Sequence, residues 1–116
     1  QPYHKLIVWK ESDAFVLMVY KISADFPKNE MYGLTSQLRR ASVSVIANIV
    51  EGLGRQTARE RRQFAIISRG SLVEARYCLE LSYKLNYCSE KDFLEVSGQA
   101  AKASFLLNRY ISSFNA

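Results

Sequence analysis

Positions that face inward recur at helical spacing along almost the whole chain. Val8, Ser12, Phe15, Val19 and Ile22, with Phe26 just beyond, follow one another in steps of four and three, the seam of a packed helix. A second stripe of Trp9, Val16 and Tyr20 widens that apolar face. The spacing predicts a first helix over about residues 4–24. Pro27 stops it, because proline disfavours helical geometry in the residue before it.

A second helix is predicted over about 35–53, with Leu34, Leu38, Ala41, Val45 and Ile49 along one side. Val43, Ile46, Val50 and Leu53 lie on another. A helix that is apolar on two sides has two things to pack against. These are either two neighbours in its own bundle, or one neighbour and another subunit. Gly52 and Gly54 end the helix.

The third helix, about 57–86, opens on T-A-R-E. Thr57 can cap the free N–H groups while Glu60 reaches back, a capping box. Its predicted stripe is Phe64, Ile67, Ser71, Ala75, Cys78, Ser82 and Leu85, and it is about 40 Å long by the 1.5 Å rise per residue. Gly70 sits in mid-helix, where glycine costs about 1 kcal/mol against alanine, and close approach of another helix is the expected compensation. After Asn86 and Tyr87, Ser89 and Asp92 signal the cap of a fourth helix over about 89–114. Phe93, Val96, Ala100, Ala103, Leu107, Ile111 and Phe114 are its core stripe. Short connections favour antiparallel neighbours, so the expectation is all-α: an antiparallel up-and-down four-helix bundle, one domain over residues 1–116.

Composition agrees and narrows the class. At 116 residues, 48% apolar and 23% charged, the chain suits one folded domain rather than disorder. No wholly apolar run, the one through Phe15–Tyr20 included, exceeds seven residues, too short to span a bilayer. No charged segment followed by an apolar one marks a secretory signal. The chain begins at Gln1 without an initiator Met, so a few preceding residues are expected. Cys78 and Cys88 stand ten apart with no C-x-x-C and one histidine in the chain. That spacing argues against a zinc site or a disulfide framework and for reduced thiols in the cytoplasm. His4, the sole imidazole, is expected at the surface. With no metal-ligand motif, phosphate-cradling loop or nucleophile elbow, neither enzyme activity nor a cofactor is expected.

Charge changes the picture. Between Arg39 and Arg76 lie eight arginines and three acids, while the remainder balances eight basic against eight acidic residues. If helices two and three fold back near residue 55, Arg40, Asn48, Glu51 and Glu74 come close enough to form a partly buried polar network that fixes register. Arg55, Arg59, Arg61, Arg62 and Arg69 are the candidate binding residues. They are either an ordinary solvated face or a site for an anionic partner, nucleic-acid backbone above all. Around the turn they share the positive end of helix three, and arginine makes planar, bidentate contacts with phosphate. No aromatic is interleaved among Arg55–Arg62, so contact with phosphates rather than base stacking is indicated there.

Two motifs carry a family likeness: Q-L-R-R-A-x-x-S-V-x-x-N-I-x-E-G from Gln37 to Gly52, and G-S-L-x-E from Gly70 to Glu74. V-W-K-E (Val8–Glu11) and F-P-x-x-E-x-x-G-L (Phe26–Leu34) extend it over nearly the whole chain. The chain resembles the bacterial four-helix-bundle proteins of the S23 or intervening-sequence type, encoded within insertions in 23S rRNA genes. Val50 and Ser68 stand where that family usually has alanine. The family is in turn similar to the accessory variability determinants of diversity-generating retroelements, pentameric barrels with a basic surface that bind nucleic acid and a reverse transcriptase. The resemblance implies a ring-shaped homo-oligomer, a pentamer, with structured or single-stranded RNA as partner and the arginine surface around the hairpin as its site. The competing expectation is an interaction scaffold whose basic surface docks an acidic partner protein.

Overall fold

Four helices account for nearly the whole chain: α1 (Pro2–Ser23), α2 (Leu34–Leu53), α3 (Ala58–Lys84) and α4 (Glu90–Ser112). The computed structural model describes residues 2–115, and the side chains of residues 7–114. His4 therefore lies outside the described side chains. Short 3-10 turns occupy Lys28–Glu30 and Ser113–Asn115, and no strand occurs among the described residues. Successive helices run antiparallel, α4 returns beside α1, and the backbones of the diagonal pairs stay more than 8 Å apart at Cα among the described residues. The result is a rod of 44 × 25 × 17 Å.

The core follows the seams of α1, α2 and α4. Val8, Ser12, Phe15, Val19, Ile22 and Phe26 are buried from α1 and its exit, and Leu34, Leu38, Ala41, Val45 and Ile49 from α2. Helix α4 buries Val96, Ala100, Ala103, Leu107 and Ile111, with Phe93 and Phe114 half-buried at its ends. Helix α3 differs from expectation. Its buried line is Ala65, Ser68, Leu72, Ala75, Leu79 and Ser82, with Cys78 beside it, whereas Ile67 and Leu85 are exposed. Small residues face inward because α2 and α3 pack closely. Ser68 Oγ donates to the Val45 carbonyl at 2.6 Å, and the Ser44 and Ser71 hydroxyls meet at 2.8 Å.

Helix ends explain several motif residues. Glu30, the acid of F-P-x-x-E, accepts the Leu34 N–H at 3.0 Å and so caps α2. Its other oxygen accepts the Tyr87 hydroxyl at 2.7 Å, tying the start of α2 to the α3–α4 connection. Those two bonds, the backbone one foremost, hold the Glu30 carboxyl below its ordinary range and push the Tyr87 phenol up. At the other end of the rod Gly52 is buried where α3 crosses. A Cβ there would lie 3.0 Å from Phe64 Cβ and 3.4 Å from the Arg61 carbonyl oxygen. Asn86, at φ 63°, ends α3 in the left-handed region, and the Tyr87 N–H closes on the Ser82 carbonyl at 2.9 Å.

Gly70 does not meet the expected close neighbour: a Cβ there would touch nothing within 4 Å. The second stripes of α1 and α2 are likewise uncovered. Trp9, Tyr20, Val43, Val50 and Leu53 are all exposed, and only Val16 and Ile46 are half-buried. Within one chain, therefore, α2 buries a single apolar side.

Candidate nucleic-acid interface

The turn between α2 and α3 is built to present cations. Helix α2 stops where its last residues meet the crossing of α3, and Gly54 N–H bonds back to the Glu51 carbonyl. Thr57 then caps α3, its Oγ1 accepting the Glu60 N–H at 3.1 Å. Glu60 does not reach back to the backbone as in a full capping box. Its carboxylate accepts the Thr57 hydroxyl at 2.9 Å instead, and the residues at this positive end of α3 are exposed.

The five candidate arginines occupy distinct settings. Arg55 folds back on Glu51 at 2.7 Å and lies over the Phe64 ring, 4.8 Å from its centroid. Arg61 donates to the Arg55 carbonyl at 2.6 Å and closes the turn. Arg62 is half-buried, and its Nε–H has no acceptor. Arg69 reaches across to α4 and donates to Asn108 Oδ1 at 3.0 Å. Arg59 is exposed, with no hydrogen bond or ion pair among the described residues. One carboxylate, Glu51, thus partners one of the five, and the other four keep their charge unneutralised. Behind them Tyr110 is buried against Phe114, with no partner for its hydroxyl. Burial pushes its phenol up, and Arg61 pulls the other way.

Arg40, Asn48, Glu51 and Glu74 are not brought into one network within the chain. Arg40 and Glu74 are exposed and form no ion pair among the described residues. Glu51 turns to Arg55, and Asn48 donates to the Ser44 carbonyl at 2.8 Å. The polar seam between α2 and α3 is instead Ser44, Asn48, Ser68 and Ser71, uncharged groups that fit a close crossing. Register between α1 and α2 is held by Arg39, whose Nε donates to Ser23 Oγ at 2.8 Å while its guanidinium covers the Tyr20 ring.

The bundle also places beside the arginines some residues that are distant from them in sequence. Arg62, Arg69 and Arg76 recur every seven residues, so they share the side of α3 that meets α4. From α4 come Asn108, Arg109 and Phe105, the last 61% exposed and 5.7 Å from the Arg109 guanidinium. The spacing of the arginines was visible in the sequence. The arrival of Asn108 at Arg69, with Phe105 one turn away on the same helix, depends on how α4 packs.

Little else offers chemistry. A concavity of about 550 Å³ at the opposite end lies among Met18, Lys21, Asp25, Cys88 and Asp92. Burial and Asp92 push the Cys88 thiol up, away from the reactive thiolate. No group of His, Cys, Asp or Glu among the described residues could hold a metal ion, and no described helix is long and apolar enough to cross a membrane.

Comparison with known proteins gives the arrangement its context. The family described as 23S rRNA-intervening sequence protein matches residues 4–109. A crystal structure of a protein of unknown function from the S23 ribosomal protein family of Bacteroides thetaiotaomicron VPI-5482 superposes with a TM-score of 0.86. It covers 94% of this chain and 98% of that one at 19% identity, a likeness of fold. None of the curated proteins matches the sequence.

Proposed function

We propose, for a chain that belongs to the 23S rRNA-intervening sequence protein family, a role as a non-enzymatic homo-oligomer that binds RNA or other nucleic acid through the arginines around the α2–α3 turn. The observation that carries this reading is the uncompensated charge at the turn. Arg59, Arg61, Arg62 and Arg69 have no carboxylate partner, and three of them sit in the first turns of a helix whose positive end they share. A purely solubilising surface needs charge alone. Guanidinium groups clustered at a helix N-terminus suit phosphate in geometry as well.

Assembly follows from the uncovered apolar sides of α1 and α2. Trp9, Tyr20, Val43, Val50 and Leu53 stay exposed on the neighbouring helices α1 and α2, apolar surface of the kind that marks protein contact, and we assign it to further copies of this chain, five in a ring. A ring repeats the turn and turns a weak patch into a multivalent belt. The setting is the cytoplasm, where Cys78 and Cys88 remain unpaired.

The test is competition. Labelled RNA bound to the purified protein should be displaced by unlabelled nucleic acid and resist an excess of an acidic polypeptide. Arg59→Glu should weaken the RNA complex and spare the fold, since this exposed side chain makes no hydrogen bond or ion pair among the described residues. Preferential capture of the acidic polypeptide, with RNA ignored, would overturn the reading in favour of a scaffold for an acidic protein.

A further inference from the structure

Beyond the turn, the α3–α4 face is poor in acidic residues up to Arg76, where Glu80 joins it. Along α3 no acid lies between Glu60 and Glu74, and along α4 none follows Glu95. Arg69 reaches across from α3 to Asn108 on α4, Arg62 and Arg76 stand seven residues to either side of it, and Arg109 lies over the Phe105 ring on α4. Arg62 to Arg76 spans about 21 Å by the helical rise, long enough to track a strand rather than grip one phosphate. On α4 stands Phe105, 61% exposed, one turn from the Asn108 that Arg69 holds.

An exposed phenylalanine in such a place is costly to leave wet and awkward to cover with protein. Burying it beneath another subunit would also bury Arg109 and crowd Arg69, neither of which has a carboxylate partner among the described residues. A nucleic-acid strand suits both parts at once, because phosphates satisfy the guanidinium groups while an unpaired base stacks on the ring. Duplex bases are already stacked and offer no free face, so only single-stranded segments can use the ring.

Resting on the nucleic-acid reading above, we propose that Phe105 is a base-stacking platform. Single-stranded nucleic acid lies along the α3–α4 face, with its phosphates on Arg62, Arg69 and Arg109 and a base on the Phe105 ring. The function of the face is thus to discriminate single strands from duplex.

The test compares an unstructured oligoribonucleotide with a blunt-ended RNA duplex of two strands on the full chain, using Phe105→Leu and Phe105→Trp. Leucine keeps an apolar, helix-compatible residue at an exposed position, so circular dichroism should be unchanged. Single-strand affinity should fall about ten-fold in Phe105→Leu and recover in Phe105→Trp, by the worth of one stacked base. Duplex affinity should hold within about two-fold, and the salt slope should not move, because phosphate contacts are untouched. If single-strand binding is unaffected in Phe105→Leu but weakened in Arg69→Gln, the stacking role is wrong while nucleic-acid binding stands. If the wild type binds neither RNA at low salt, both fall together.

Discussion

Replacing Gly70 by alanine separates what one bundle requires from what an assembly adds. Gly70 lies in the interior of α3, exposed, and a Cβ at that position meets nothing within 4 Å. In the isolated fold the substitution carries no steric penalty, and the helix gains the difference in propensity, about 1 kcal/mol. For a domain of this size that corresponds to a rise in Tm of about 4 °C. Gly52 provides the opposite control. There the new methyl would press on Phe64 Cβ at 3.0 Å and on the Arg61 carbonyl oxygen at 3.4 Å, so Gly52→Ala should cost about 1–3 kcal/mol as the α2–α3 crossing is forced apart. Urea and thermal unfolding followed by circular dichroism, with sedimentation velocity at the same concentrations, distinguish the contributions. Gly70→Ala should stabilise the subunit. Loss of stability in a sample that sediments as a monomer would refute the reasoning, because nothing in the bundle opposes the methyl group. If the subunit is stabilised while oligomers dissociate, the outer side of α3 is a close contact between copies.

Other outcomes follow from the same geometry. Leu72→Ala, at a buried position of α3, should cost about 2–5 kcal/mol, whereas exposed Ile67→Ala should cost less than about 1 kcal/mol; urea unfolding ranks them. Val50→Asp, on the uncovered side of α2, should leave the helical signal intact and yield a monomer by sedimentation, and an unchanged oligomer would remove that face from the assembly. The Glu30 carboxyl is held low by the Leu34 N–H and the Tyr87 hydroxyl. Its contribution to stability is present above the ordinary carboxylate range and is lost as pH falls through the depressed value. Glu30→Gln should therefore lower Tm at neutral pH, and the gap to wild type should close in acid; a pH-independent gap would contradict the ionised cap.

How much of this was legible depended on side-chain size. The seam of α1 could be followed because Val8, Phe15, Val19 and Ile22 are large and regularly spaced. On α3 the inward residues are Ala65, Ser68, Ala75 and Ser82, which carry almost no hydrophobic signal. Larger outward residues, Ile67 and Leu85, drew the expected stripe around the helix. Close packing explains the difference, since serine hydroxyls bonded across the crossing are compatible with burial. The polar network failed for a related reason: charge pairing guided the expectation, yet the crossing is too tight for arginine and glutamate and uses serines and an asparagine. The arginine surplus at the turn was plain in the sequence, and so was the double-sided apolarity of α2. Asn108 beside Arg69 and Glu30 beneath Tyr87 depend on helices meeting across the bundle, which spacing along one helix cannot convey.

The central claim is that arginines at the α2–α3 turn contact phosphate, and fluorescence anisotropy of labelled RNA across a salt series addresses it most directly. The account requires the logarithm of the binding constant to fall linearly with the logarithm of salt concentration, with a slope of several phosphate contacts. That slope should become shallower by about one for each of Arg59→Gln and Arg69→Gln. A flat salt dependence, or a slope indifferent to both substitutions, would contradict the account.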